Sequence, residues 1–525
     1  MYCVATSAAQ LANNLHPQVG FGFWSHDIVG PDATFDNSNA TDRFDLYTRW
    51  IQWGAWSGVM RSHDRGMARG SCNSGDFPEL FPGCALIENW HVPKMYFEAN
   101  RAALQDRVRH IPYIYTATRQ AFDSGLSLIR PMYYDFPSFD MAFVPAVVAM
   151  CCCLWRTHHG VDVVYSYAAA ADGSFAQYMF GDDMMLAPVV VESDYETSLA
   201  TTTIWIPPGT WYERDTARSV VGAADGSTTQ TRAFDIREVP AYIKAGAVIP
   251  TIPIVEGDTI GVAQRQCVHL ARPALCATIL TLGHVPRFTT LEFSIYPGAT
   301  SGQGKVYEDD GQTTACVVSC RSWTATRSGC DICNVHRYLD EQLAWTWANY
   351  TKSGTSTTVK IGTIGTFPEL PASRTYTVRL VNAMPLTSAS ANGKALPYAR
   401  WGGPNTWTYD GTTMEAVVQV DDVAAATGVT IVAVEAATPA GANLDGMRGS
   451  MLHAVWAKAG MDETAITPGS NNLSPACVTC QRVFAAMHLM CGLYCQVPER
   501  AIVPRLGVRL LSWEGRPVGL QHCRC

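Results

Sequence analysis

FWSHDIVG, Phe23 to Gly30, is an aromatic run that ends in a carboxylate and a glycine. Val19 to Ile28 around it is short, apolar and β-like, which fits a strand feeding a loop. An aromatic pair, Asp27 and Gly30 at a strand end is the arrangement by which a barrel presents side chains to a ligand. Arg61 to Gly66 (RSHDRG) lies 34 residues further on, counted from Asp27 to Arg61, and follows the hydrophobic run Trp53 to Met60. A carboxylate and a histidine there can accept from and donate to adjacent sugar hydroxyls. A lone His-Asp pair is more often solvated or structural, so the reading rests on what surrounds it.

Outward from this pair, Lys94 to Ser124 spaces apolar residues helically around Leu104, Val108, Ile111 and Ile114. Pro112 predicts a kink or a break into two helices, and Gly125 a stop. Beyond it the pattern turns to β. Thr203 to Pro207, Trp211-Tyr212 and Ala247 to Pro250 read as strands separated by Pro208-Gly209 and similar turns. From about Leu291 to Ala436 strand-like runs continue, with Asn392-Gly393 and Asp410-Gly411 as hairpin turns.

The quoted pair resembles glycoside hydrolase family 31, the α-glucosidase/α-xylosidase group. FWSHDIVG is similar to its aromatic-W-x-H-D-I-G-G strand end, and Arg49 to His63 (RWIQWGAWSGVMRSH) to the segment that follows. Arg107 to Pro137 resembles the last barrel helix and the entry to the next domain. Gln177 to Val190 (QYMFGDDMMLAPVV), Ile204 to Glu213 (IWIPPGTWYE), Tyr242 to Pro250 (YIKAGAVIP) and Val306 to Thr313 (VYEDDGQT) resemble its β-sandwich domains, in family order.

The resemblance implies α/β plus all-β architecture: the C-terminal fragment of a (β/α)8 TIM barrel followed by two β-sandwich domains. The expected division is 1–126 for the partial barrel, 127–265 for a proximal sandwich with an insert at 144–172, 287–436 for a distal sandwich with an insert at 316–340, and 437–525 for an irregular Cys-rich tail. It also implies substrate-binding roles. Asp27 and His63 match positions that hold hydroxyls of the sugar beside the cleaved bond, Trp24 walls that pocket, and Arg61 orients Asp27. Val29, Gly30 and Pro31 depart from the family's Gly-Gly-aromatic, which puts the outer wall of the pocket in question.

Retaining hydrolysis needs a nucleophile and an acid/base carboxylate about 5–5.5 Å apart. The family's Trp-x-Asp-Met-Asn-Glu segment has no counterpart in this sequence. Ala5 to Leu11 resembles the helix start that follows the acid/base Asp, which would put that Asp near Met1, Tyr2 or Cys3. Both carboxylates are therefore expected upstream of Met1, and the chain by itself is expected to be inactive. The alternative is a non-catalytic carbohydrate-binding or scaffold relic of a glycosidase. With only its last strands present, the barrel should show open edges and an uncovered apolar face, while the β-rich remainder folds by itself.

Composition agrees with a multidomain globular chain: 525 residues, 47% hydrophobic and 16% charged. A net charge of −8 without a basic stripe excludes nucleic acid as partner. The longest apolar run, Met141 to Trp155, is 15 residues with Pro145 inside, short of the ~20 a membrane span needs. Of 18 cysteines, Cys316, Cys320, Cys330 and Cys333 with His336, and the pair Cys477/Cys480, suggest zinc spacing. The strands and turns that would frame a zinc ribbon are missing, so no metal is assigned; these clusters break the family pattern and read as untrimmed or misread gene segments. Carboxylate chemistry requires no cofactor. The expected partner is an α-glucoside or oligosaccharide substrate, and the sequons at Asn39, Asn349 and Asn472 point to a secretory or lysosome-like location.

Overall fold

The helical period that begins at Lys94 is broken once, at His110, where φ −90° and ψ 8° leave the α-helical region. Helices α2 (Lys94–Arg109) and α3 (Ile111–Ser124) flank that residue, with Pro112 in the first turn of α3, where its missing N–H costs nothing. Gly125 closes α3 in the left-handed conformation at φ 77°. The computed structural model describes residues 27–28, 40–62, 92–143, 155–157, 160–162, 177–191, 193–194, 197–254, 288–309, 343–367, 370–439 and 443–465.

Before these helices, β1 (Asp27–Ile28), α1 (Ala40–Ala55) and β2 (Arg61–Ser62) form one strand–helix–strand unit. The two strands run parallel, as a helical crossover requires. Among the described residues they form a two-stranded sheet.

The apolar face is not uncovered, however, and here the structure corrects the sequence-based expectation. Residues 45–57 are buried on every side of α1 and through its C-terminal turn. Tyr47, Trp50, Ile51, Trp53 and Trp56 share one core with Tyr178, Phe180, Met184, Leu186 and Ile243 of the β region. Each large side chain buried there contributes roughly 1.5–3 kcal/mol. The β region supplies this cover.

That β region begins with a six-stranded antiparallel sheet in the order Ser219–Gly222, Gly209–Glu213, Ala241–Lys244, Met184–Leu186, Tyr178–Phe180, Ile129–Arg130. An antiparallel pair of Leu199–Trp205 with Thr229–Asp235 packs against it over a second core around Trp205, Trp211 and Tyr242. The indoles of IWIPPGTWYE are satisfied locally: Trp205 donates to Gly226 O at 2.7 Å and Trp211 to Pro207 O at 2.9 Å.

Next comes a sandwich of two sheets. The five-stranded sheet orders Val248–Thr251, Thr290–Ile295, Ser373–Leu380, Glu415–Ala424 and Thr406–Asp410; the six-stranded sheet orders Ser301–Glu308, Ala344–Ser353, Ser356–Gly365, Val429–Glu435, Leu386–Ala391 and Lys394–Leu396. Asn392 and Gly393, at φ 48° and 79°, form the two-residue turn between the last two strands. Inside, Arg374 donates to both Glu308 oxygens at 2.7 Å and to Thr346 at 3.0 Å.

Residues 438–525 form a separate unit, of which the helix Met447–Ala465 is described. Among the described residues no helix is long and apolar enough to cross a membrane. All 18 cysteines lie outside the described residues, as do His336 and the sequon residues Asn39 and Asn472. The insert expected at 316–340 lies outside them as well; of the one at 144–172, the hairpin Trp155–Thr157 with Gly160–Asp162 is described.

Candidate functional site

The site is built on the mouths of β1 and β2. Parallel register places Asp27 opposite Arg61 and Ile28 opposite Ser62, on strands that neighbour at about 4.8 Å. Ile28 is 1% exposed and belongs to the core beneath. Two of the four residues expected to hold substrate, Asp27 and Arg61, thus stand side by side in the backbone ladder. The other two, Trp24 and His63, lie outside the described residues.

Arg61 is reached through a turn whose carbonyls are held from outside. The guanidinium of Arg107 on α2 donates to Ala55 O at 3.0 Å, Ser57 O at 2.6 Å and Gly58 O at 3.0 Å. Ala55 O is a carbonyl that the C-terminus of α1 leaves unpaired, Ser57 O and Gly58 O belong to the turn after it, and a cation there also complements the helix dipole. The Ser57 hydroxyl closes the same turn, its one proton facing Gly54 O at 2.7 Å and Val59 O at 2.9 Å.

One turn earlier α1 is held from the opposite side. Arg49 donates to Glu238 O at 3.0 Å, Asp235 O at 3.1 Å and Phe234 O at 3.3 Å, and Gln52 donates to Ile236 O. Sequence reasoning missed these positioning groups. Arg49 and Arg107 were legible only as basic residues in helical segments, and nothing local announces which carbonyls they meet.

The α2–α3 junction carries a buried charged cluster. Arg214 pairs with Asp106 at 2.5 Å and with Asp215 at 2.7 Å, and lies 5.0 Å above the Trp56 ring. Burial raises the Asp106 carboxyl, but the Arg214 guanidinium, with His110 and Arg109, outweighs it and leaves the group below its ordinary value. Burial pushes His110 down to about 4, against the pull of Asp106. The imidazole is therefore neutral at pH 7; it packs edge-on to Trp56 at 4.8 Å. Asp183 is half-buried beside Lys244 and Asp182, and burial raises it to about 6.

Asp309, in VYEDDGQT, accepts from Tyr115 of α3 at 2.7 Å and from Tyr307 at 2.8 Å. With Glu308 bound to Arg374, the described part of this motif ties elements together.

Residues 4–117 match the family model for the glycosyl hydrolases family 31 TIM-barrel domain, and residues 125–249 match that for the family's C-terminal domain. Both matched regions are those of glycoside hydrolase family 31. The chain's fold is that of a family 31 barrel fragment followed by β-sandwich domains. Among curated relatives, a Saccharolobus solfataricus alpha-xylosidase is 22% identical over 59% of this chain and 31% of its own length. A Sporosarcina globispora 1,6-alpha-glucosyltransferase is 24% identical over 58% of this chain and 17% of its own. Of solved structures, the Flavobacterium johnsoniae GH31 dextranase complexed with isomaltotriose superposes with TM-score 0.54 at 16% identity, covering 82% of this chain and 42% of that one. The matched part of this chain therefore spans under a third of those curated relatives and under half of the dextranase.

Proposed function

We propose that this chain is the substrate-holding part of a retaining α-glycosidase acting on O-glycosyl bonds of α-glucosides or oligosaccharides. In this reading Asp27 accepts hydrogen bonds from sugar hydroxyls, Arg61 orients Asp27, His63 binds an adjacent hydroxyl and Trp24 walls the pocket. The expected division into a partial barrel, two sandwiches and a tail is carried forward with it. The observation that supports it most is the parallel pairing of Asp27 with Arg61 at the mouth of a strand–helix–strand unit. A double displacement would need its two carboxylates from sequence not found among these residues, so the chain by itself holds sugar without cleaving it.

The test uses the purified 525-residue chain with aryl α-glucoside and aryl α-xyloside. No release of the phenol is expected from either. Turnover that survives repurification would refute the inactivity. Glucose or xylose protection of Trp fluorescence from quenching, lost in Asp27→Ala, is the expected sign of the retained pocket; equal protection in that variant would remove Asp27 from the site.

A further inference from the structure

The six-stranded sheet of the distal sandwich carries an outer face that its own fold does not explain. Along Ala344–Ser353, Ala344, Thr346, Ala348 and Tyr350 are buried, so Trp345, Trp347 and Asn349 point the other way. Register sets Lys305 and Gly362 on either side of Trp347, and Gln303 and Lys360 on either side of Asn349. The rings of Trp345 and Trp347 lie 6.2 Å apart at 32°, with the Lys305 ammonium 5.4 and 5.6 Å from their centroids. An open groove of about 520 Å³ runs over this face, lined by Gln303, Trp347, Asn349, Lys360, Ile364 and Asn392 among others.

Gly362 is the telling residue. A glycine inside a strand weakens it and usually marks a bulge, a bend or a close approach. The pairing Trp347↔Gly362 is regular, so no bulge demands it. Its φ is not in the left-handed region, and a Cβ built there would meet nothing within 4 Å. What remains is a floor kept low beside an aromatic ring.

We propose that this groove binds a neutral oligosaccharide chain, one ring lying on Trp347 over Gly362. Apolar C–H faces of a pyranose suit an indole, and amides that both donate and accept suit its hydroxyls. Gln303, Asn349 and Asn392 supply three such amides, and all three are exposed. Among the described residues the lining holds no carboxylate and only Lys360 as a cation, while Lys305 is engaged over two rings. That composition favours an uncharged chain over a polyanion. The site is independent of Asp27 and goes beyond the reading above.

Affinity electrophoresis tests it, with the full chain made in bacteria, where Asn349 stays unmodified, run in native gels cast with dextran, glycogen or xyloglucan. Retardation against a blank gel is expected in at least one polymer. Trp347→Ala and Gly362→Val should each weaken it by about tenfold or more. Gly362→Val should melt like the parent, because its Cβ enters open space. Asp27→Ala should stay retarded, even if the barrel reading fails. The proposal is overturned by unchanged mobility in all three polymers, by retention equal to the parent in both groove variants, or by retention lost in Asp27→Ala. Stronger retention in a dextran sulfate gel than in dextran, abolished by high salt, would assign a polyanion instead. A dimer in the blank gel that Gly362→Val dissociates would assign a second copy of the chain.

Discussion

The barrel fragment and the distal sandwich are held in opposite ways. In the sandwich, paired strands satisfy one another's backbone, and a buried ion pair lies within the domain: Arg374 is 0% and Glu308 4% exposed at the side chain. In the fragment, β1 and β2 have only each other among the described residues, and α1 is fixed by side chains reaching in from elsewhere. The segment bearing the residues proposed to hold ligand is thus the one that depends on its neighbours. Order at such a site is imported.

Three measurements break or sharpen this contrast. The largest effect is expected from Glu308→Ala, which leaves a buried guanidinium uncompensated. Urea unfolding should show a loss of about 3–5 kcal/mol, most of it recovered when Arg374→Met is added to Glu308→Met. A loss under ~1 kcal/mol would mean that the ion pair does not anchor the sandwich.

Next is Arg107→Ala, which removes three charge-assisted hydrogen bonds to carbonyls. A loss of about 3 kcal/mol is expected, confined to the fragment. Hydrogen exchange should speed up across residues 55–62 and stay unchanged in the strand Ala344–Ser353. Equal acceleration in both regions would erase the distinction.

The smallest effect depends on pH, at the turn where α3 meets the proximal sheet. Asp183 is raised from 3.8 to about 6, so between those values the folded chain holds a proton that the unfolded chain has released. Stability from this group therefore falls as pH rises through that window. Asp183→Asn should match the parent below pH 4 and exceed it by about 2 kcal/mol above pH 6. His110 has the opposite sign: its depressed value, about 4, makes stability fall as pH drops below 6.5. A parent–variant difference that does not change with pH would exclude Asp183 as the titrating group.

Local chemistry was readable from sequence. The break at Pro112, the stop at Gly125 and the Asn392-Gly393 turn each depend on a residue's own φ preference. The parallel unit around Asp27 and Arg61 was legible through the resemblance of its two segments. What was not legible is long-range. Arg49 meets carbonyls 185 to 189 residues away and Glu308 its partner 66 residues away, and nothing in either neighbourhood encodes that distance. The same blindness made the apolar face of the partial barrel look uncovered, because the cover of α1 comes from strands more than 100 residues downstream, among them Tyr178, whose hydroxyl reaches Trp56 O 122 positions back.

The strand Val248–Thr251 begins only a few residues after Ala241–Lys244 leaves the proximal sheet, yet it pairs with Thr290–Ile295 as an outer strand of the distal one. An excised C-terminal domain started at residue 287 would therefore bare the ladder of Thr290–Ile295 to solvent and invite self-association through it. Cutting ahead of Val248 instead keeps that seam closed and moves the scar to the proximal sheet.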